Sequence, residues 1–280
     1  MRKIHVENIK DTVAALCIQA NYHLSEDIYN CIEKYTQHEK SPVGKDILNK
    51  ILENARLAKD KKMPICQDTG MAVVYIDIGQ DVNAIGGVLE DAIHQGVRKG
   101  YQEGYLRKSV VGDPLTRENT GDNTPAVIYY NIVAGDKMNI TVAPKGFGSE
   151  NMSAIKMLKP SDGRQGVIDF VVDTVSAAGA NPCPPIVVGV GLGGTMEKAA
   201  WLSKKALLRP VNIRNQQEYY VALEEILLEK INTLGIGPQG YGGTTTALAV
   251  NIETYPTHIA GLPVAVNINC NVTRHAQTTL

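Results

Sequence analysis

From Ile9 to about Leu57, apolar positions recur at three- and four-residue spacings through Leu16, Ile28, Cys31, Ile32, Ile47, Ile51 and Leu52. That period predicts amphipathic helices, with Ser25 and Ser41 placed to cap two of them. After Pro64 the texture changes to short apolar strands alternating with helices. Strands are expected at Ala72 to Ile78, Ala126 to Ile132, Met138 to Val142, Pro185 to Val190, Thr246 to Ile252 and Pro263 to Cys270. Helices are expected from about Asn83 to Gly100, around Gly166 to Ala178, and over Thr195 to Leu208 and Gln216 to Leu234. The fold class that follows is α/β, of the mixed α+β kind: a helical lead-in over 1–62 and a mixed-sheet region over 63–280. No repeat, low-complexity segment or linker divides the sequence, so one domain over 1–280 is expected.

A length of 280 residues suffices for a sizeable core. With 44% hydrophobic and 20% charged residues the composition is that of a soluble globular chain. The formal net charge of -1 and the lack of Lys or Arg runs argue against a nucleic-acid partner. The N-terminal MRKIHVENIKDTVAAL mixes charges into a helical pattern and has no signal-peptide core, and no stretch is apolar enough to span a bilayer. A cytoplasmic location is expected. Five cysteines, an odd number and widely spaced, do not form a disulfide framework; they are buried apolar groups or ligands. Cys17 and Cys31 fall inside the helical apolar pattern, where a thiol serves as core filler.

The unusual segments are junctions at strand ends: PICQDTG at 64–70, NTGDNTP at 119–125, APKGFGSEN at 143–151, NPCPP at 181–185, GVGLGG at 189–194 and GIGPQGYGG at 235–243. Rigid strands holding loops with free backbone amides are where α/β proteins build sites. Cys66 and Cys183 lie in two of them, and Cys270 ends the strand VAVNINC, in which Val264, Val266, Ile268 and Cys270 share one face. Any one of these thiols alone reads as buried filler, and separations of 117 and 87 positions make no local metal motif. Three together have a specific attraction: a cubane held by three thiolates keeps one iron open as a Lewis acid, whereas four thiolates favour electron transfer.

The residues also carry a family resemblance. CQDTGMAVV from Cys66, NTPAVI from Asn123, APKGFGSENMSAIKMLKPSDG from Ala143, NPCPP from Asn181, GVGLGGTMEKAA from Gly189, GPQGYGG from Gly237 and HIAGLPVAVNINCNVTRHA from His258 resemble the α subunit of class I, iron-sulfur-dependent fumarate hydratase, a relative of the tartrate dehydratase α subunit. The resemblance implies a [4Fe-4S] cluster on Cys66, Cys183 and Cys270, and reversible hydration of fumarate to malate. Tartrate relatives differ in the segment matching Lys145 to Ser153, which turns the reading toward fumarase; tartrate or mesaconate dehydratase is the alternative.

By the same resemblance Asp68 is an acid/base or substrate-orienting residue, Gln67 and Arg107 contact the dicarboxylate, Gly148 offers a backbone amide, and His258 is an active-site histidine. Each has a plainer reading: a turn-capping aspartate, a solvated arginine near Arg98, Lys99 and Lys108, a hairpin glycine, a structural histidine. The family draws further cations from a second domain or a separate β subunit, and no corresponding region follows His275, so a β partner in an α2β2 assembly is implied. Two other functions compete. GVGLGG formally satisfies the dinucleotide fingerprint, although Arg209 stands near where its acidic partner belongs, so a nicotinamide-dependent dehydrogenase is one rival. A non-enzymatic cluster sensor or electron carrier is the other; a carrier requires a fourth cysteine beside the site.

Overall fold

A computed structural model describes all 280 residues. The chain forms two compact units that interleave along the sequence: unit 1 comprises 1–24, 55–147 and 274–280, and unit 2 comprises 25–54 and 148–273. The mixed α+β class read from the sequence is the class observed, with helices dominating the N-terminal portion and sheets the rest. The expected helical lead-in resolves into α1 (Val6–Tyr22), α2 (Glu26–His38) and α3 (Pro42–Lys61). Ser41 caps α3 by accepting from the Gly44 N–H at 3.1 Å, whereas Ser25 sits at the cap position of α2 without a side-chain bond. No helix is long and apolar enough to cross a membrane.

In unit 1 a four-stranded sheet has the order β10-β5-β2-β4, with β2 (Met71–Gly79), β4 (Val127–Val133), β5 (Met138–Lys145) and β10 (Ala276–Thr279). β2 runs parallel to β4 and antiparallel to β5, and β5 is followed in the sequence by the one-turn helix α5 (Phe147–Glu150). Strand alternation sends Ala72, Val74 and Ile76 of β2 and Ile140 and Val142 of β5 into one core with Ile9, Val13 and Leu16 of α1 and Ile93, Val97 and Tyr101 of α4 (Leu89–Glu103). The expected helix from Asn83 is shorter than the pattern suggests. Val82–Ile85 is instead β3, paired in parallel with β1 (Arg2–His5), and Gly86 and Gly87 at positive φ separate it from α4.

Unit 2 is built on a second four-stranded sheet of order β6-β9-β7-β8, with β6 (Ala154–Leu158), β7 (Ile186–Gly193), β8 (Ala247–Tyr255) and β9 (Leu262–Asn269). β7 is buried along its whole length, which is why IVVGVGLG reads as a continuous apolar run rather than an alternation. Ile186, Val188, Val190 and Leu192 pack with Val171 and Val175 of α6 (Gly163–Ala178) and Leu223, Leu227 and Ile231 of α8 (Glu218–Thr233). Burying each such large side chain contributes roughly 1.5–3 kcal/mol.

The opposite face explains the glycines. A Cβ on Gly189 would lie 2.1 Å from the Ser203 carbonyl oxygen, and one on Gly191 2.0 Å from that of Ala199, so α7 (Met196–Ala206) rests directly on the β7 backbone. Helix-on-strand packing therefore accounts for Gly189 and Gly191 of GVGLGG, and the left-handed turn at φ 87° and 69° for Gly193 and Gly194.

Candidate functional site

Register decides which candidates meet. In unit 1, Met71 at the start of β2 pairs with Lys145 at the end of β5, and Ala276 at the start of β10 pairs with Val142. The Cys66–Gly70 turn, the Gly146–Phe147 segment and Arg274 consequently emerge at one end of the sheet. Asp68 fastens two of them: Oδ1 accepts from the Gly70 N–H at 3.0 Å and Oδ2 from the Phe147 N–H at 3.0 Å. The capping reading of Asp68 and its place beside Cys66 thus hold together in one residue. A Cβ on Gly146 would stand 3.1 Å from Asp68 Oδ2, close enough that the carboxylate would have to shift by a few tenths of an ångström.

The turn is braced from behind. The buried Tyr101 hydroxyl lies 2.8 and 3.0 Å from the Thr69 and Gly70 carbonyl oxygens, and burial pushes its phenol well above the usual range. Asn123, fully buried and at φ 63°, donates to the Gly70 carbonyl and accepts from the Ser109 and Val110 N–H groups. Thr69 donates to the Arg107 carbonyl at 3.0 Å. These bonds bring the exposed Arg107 to the same turn as Cys66, Gln67 and Asp68, and Cys66 Sγ lies 3.3 Å from Gln67 Oε1. Two buried cations that the sequence did not single out stand here too: Lys145, 5% exposed, and Arg274, 5% exposed, whose Nη2 donates to the Asp68 carbonyl.

In unit 2, Cys183 precedes β7 and Cys270 follows β9; Val187 pairs with Asn269, so both lie at one end of that sheet. Asn271 ties them, its backbone and side-chain N–H groups donating to the Cys183 carbonyl at 3.2 and 2.8 Å. Cys183 is exposed, at φ 55°. Because Ala154 pairs with Val266, the segment before β6 arrives at the same end. Ser153 Oγ accepts from the Ile268 N–H, and Glu150 bridges Lys204 and Asn267. Gly148 is in this group: the place its Cβ would take is 3.7 Å from the Asn181 carbonyl oxygen, ordinary contact distance, so nothing in the folded chain itself forces glycine there.

His258 is not brought to the cysteines of its unit. It lies in the connection from β8 to β9, where Gly193 pairs with Tyr255 and Leu192 with Val264, at the far end of β7 from Cys183. Its ring accepts from the Ala260 N–H in an exposed turn. Eight residues of strand separate the two ends of β9, roughly 25 Å at strand rise.

The five cysteines divide by environment. Burial pushes the Cys17 thiol up to about 12 and the Cys31 thiol up to about 11, poor prospects for thiolate ligands. Cys66, Cys183 and Cys270 are partly or fully exposed, on turns at strand ends, and their chemistry suits an iron-sulfur cluster. Neither unit alone carries all three, and no group of three or more His, Cys, Asp or Glu stands assembled as a metal site. A cavity of about 520 Å³ between α2 and the start of β8 is lined by none of the candidates.

The profile of the family described as Fumarate hydratase (Fumerase) matches residues 10–279. Among curated proteins, one of Methanocaldococcus jannaschii, provisionally named L(+)-tartrate dehydratase subunit alpha, is 46% identical over 275 residues, covering 96% of each chain. The L(+)-tartrate dehydratase subunit alpha of Escherichia coli K12 is 33% identical over 268 residues, covering 95% of this chain and 88% of its own.

Proposed function

The chain belongs to the fumarate hydratase family, and from that premise we propose that it is the cluster-bearing α subunit of a hydro-lyase that hydrates fumarate to malate reversibly. The observation that carries the reading is the sorting of residues by strand end: Cys66, Gln67, Asp68 and Arg107 gather at one end of the unit 1 sheet, and Cys183, Cys270 and Gly148 at one end of the unit 2 sheet. Cys66, Cys183 and Cys270 would hold a [4Fe-4S] cluster. When bound, such a cluster with an open iron supplies a Lewis acid for the water that is added or removed.

The chain's own groups divide the remaining work. Arg107, exposed on a segment pinned through Thr69, offers a bidentate fork to a substrate carboxylate. Gln67 supplies an amide for orientation. Asp68 is held in one rotamer by two backbone N–H groups, and each of its oxygens keeps a further lone pair with which to take or return a proton. Gly148 is exposed, and its backbone amide is the group offered to the dicarboxylate. His258 has no assigned step at the cysteine end of its own unit.

A β subunit completing the dicarboxylate site is supported by relatives named as alpha subunits, and an α2β2 assembly is the arrangement proposed for the pair. Five free cysteines without a disulfide suit a reducing compartment, which supports a cytoplasmic location. A second reading, tartrate dehydration by the same machinery, is favoured by the names of those same relatives. Anaerobic reconstitution of this chain with its β partner, assayed on fumarate, mesaconate and tartrate, separates the two. Turnover of fumarate well above tartrate supports the first, the reverse order installs the second, and no turnover of any of them sinks both. Robust activity of this chain alone with an intact cluster would remove the need for a β subunit.

A further inference from the structure

Arg274 is a charged side chain that the folded chain leaves unspent. It is 5% exposed, two positions before the start of β10, and Nη2 donates to the main-chain carbonyl of Asp68. Its other donors, Nε and Nη1, are buried and meet no acceptor. A buried guanidinium with only one neutral carbonyl as partner is costly, because it has lost water without gaining an anion. An arginine kept for stability alone gains a carboxylate, as Arg209 does: its Nε also lacks a hydrogen bond, but its charge is met by the fully buried Glu224 and by Glu253 at 3.8 Å.

The position gives the unspent charge a use. The Asp68 carbonyl lies two residues past Cys66, in a turn whose other carbonyls, Thr69 and Gly70, are already held by Tyr101 and Asn123. Arg274 is the one side chain seen holding the Asp68 carbonyl, and so fixes the peptide that aims the Asp68 side chain. We infer that Arg274 is a positioning residue of the site: it orients the Asp68 main chain, and its buried Nε and Nη1 meet the negative charge that arrives when the site is loaded with a dicarboxylate. The inference rests on the hydro-lyase reading, with Arg274 acting through Asp68.

The test compares Arg274→Met and Arg274→Lys in this chain assembled with its partner and reconstituted with iron and sulfide. Melting temperature is read on the unloaded chain, and iron content, kcat and KM on the assembly. Expected for Arg274→Met are a melting temperature at or above that of the unchanged chain, iron content retained, kcat lowered about 10- to 100-fold, as for a misplaced catalytic group, and KM raised, because a charge facing the dicarboxylate is gone. Arg274→Lys should recover part of kcat. A melting temperature lowered by several degrees with kcat per loaded enzyme unchanged would make Arg274 a structural brace and overturn the inference. If the unchanged assembly is inactive on every dicarboxylate, the hydro-lyase reading fails. The melting comparison then stands by itself: a fall shows that the charge is already satisfied, and a rise shows that it is held in reserve.

Discussion

Glu39 offers the most direct quantitative check on the packing of unit 2. Its side chain is 1% exposed at the corner between α2 and α3 and accepts from the Ser41 N–H at 2.9 Å, from the Thr244 N–H at 2.9 and 3.0 Å, and from the Thr244 hydroxyl at 3.2 Å. These bonds strap the helical corner to the segment that enters β8, 205 positions away. Burial alone would raise the carboxyl, but the N–H groups of Ser41 and Thr244 and the hydroxyls of Thr245 and Thr244 outweigh it and hold it at about 2 against an ordinary 4.5. A depressed folded value contributes stability that is present above the unfolded value and lost as pH falls toward the folded one. The difference of about 2.5 units, at about 1.36 kcal/mol each, sets the contribution near 3 kcal/mol at pH 7 and about 2 kcal/mol at pH 3.5. Glu39→Gln, which presents an amide to the same donors, should therefore cost about 3 kcal/mol at pH 7 and less at pH 3.5. The single tryptophan, Trp201, lies in α7 of unit 2, so its fluorescence during urea unfolding reports the right part of the chain. A cost below about 1 kcal/mol at pH 7, or one that does not shrink in acid, would refute the assignment of this strap to a charged carboxylate.

Serine at Cys66, Cys183 or Cys270 should each abolish iron loading after anaerobic reconstitution, while alanine at Cys17, fully buried in α1, leaves iron content unchanged; iron retained in any of the first three removes that residue from the ligand set. Arg107→Lys should raise KM for the dicarboxylate about 10- to 100-fold, the loss of one charge-assisted bond from a bidentate pair, and an unchanged KM would return Arg107 to the solvated surface. Gly191→Ala places a methyl 2.0 Å from the Ala199 carbonyl oxygen. It should destabilise unit 2 by about 1–3 kcal/mol or more, with an unshifted urea midpoint counting against direct contact of α7 with β7.

What could be read from the sequence was whatever is fixed within one element. The apolar runs located the core strands of both sheets to within a few residues, because strand alternation and burial are written locally. Cys66, Cys183 and Cys270 were recognisable as strand-end residues because Gly, Pro, Asp and Asn punctuate those ends. β1 and β3, four residues each and paired with one another across 80 positions, left no periodicity to detect. The same limit hid Arg274 and Lys145: the first became important only because β10 pairs with β5 in a register that delivers it to the Asp68 carbonyl, the second because β5 ends beside the start of β2.

His258 shows the limit from the other side. Twelve positions before Cys270, it looked close to a ligand, yet β9 runs the whole sheet between them and carries the two to opposite ends. Sequence separation along a strand is distance, about 3.3 Å for every residue, whereas separation across paired strands is almost none. Cys183 and Cys270, 87 positions apart, end up joined through Asn271, which follows Cys270 and donates to the Cys183 carbonyl, while His258 is left behind at the β8–β9 turn. The composition of this site is therefore decided by strand direction and register, and those are set by pairings that no local motif encodes.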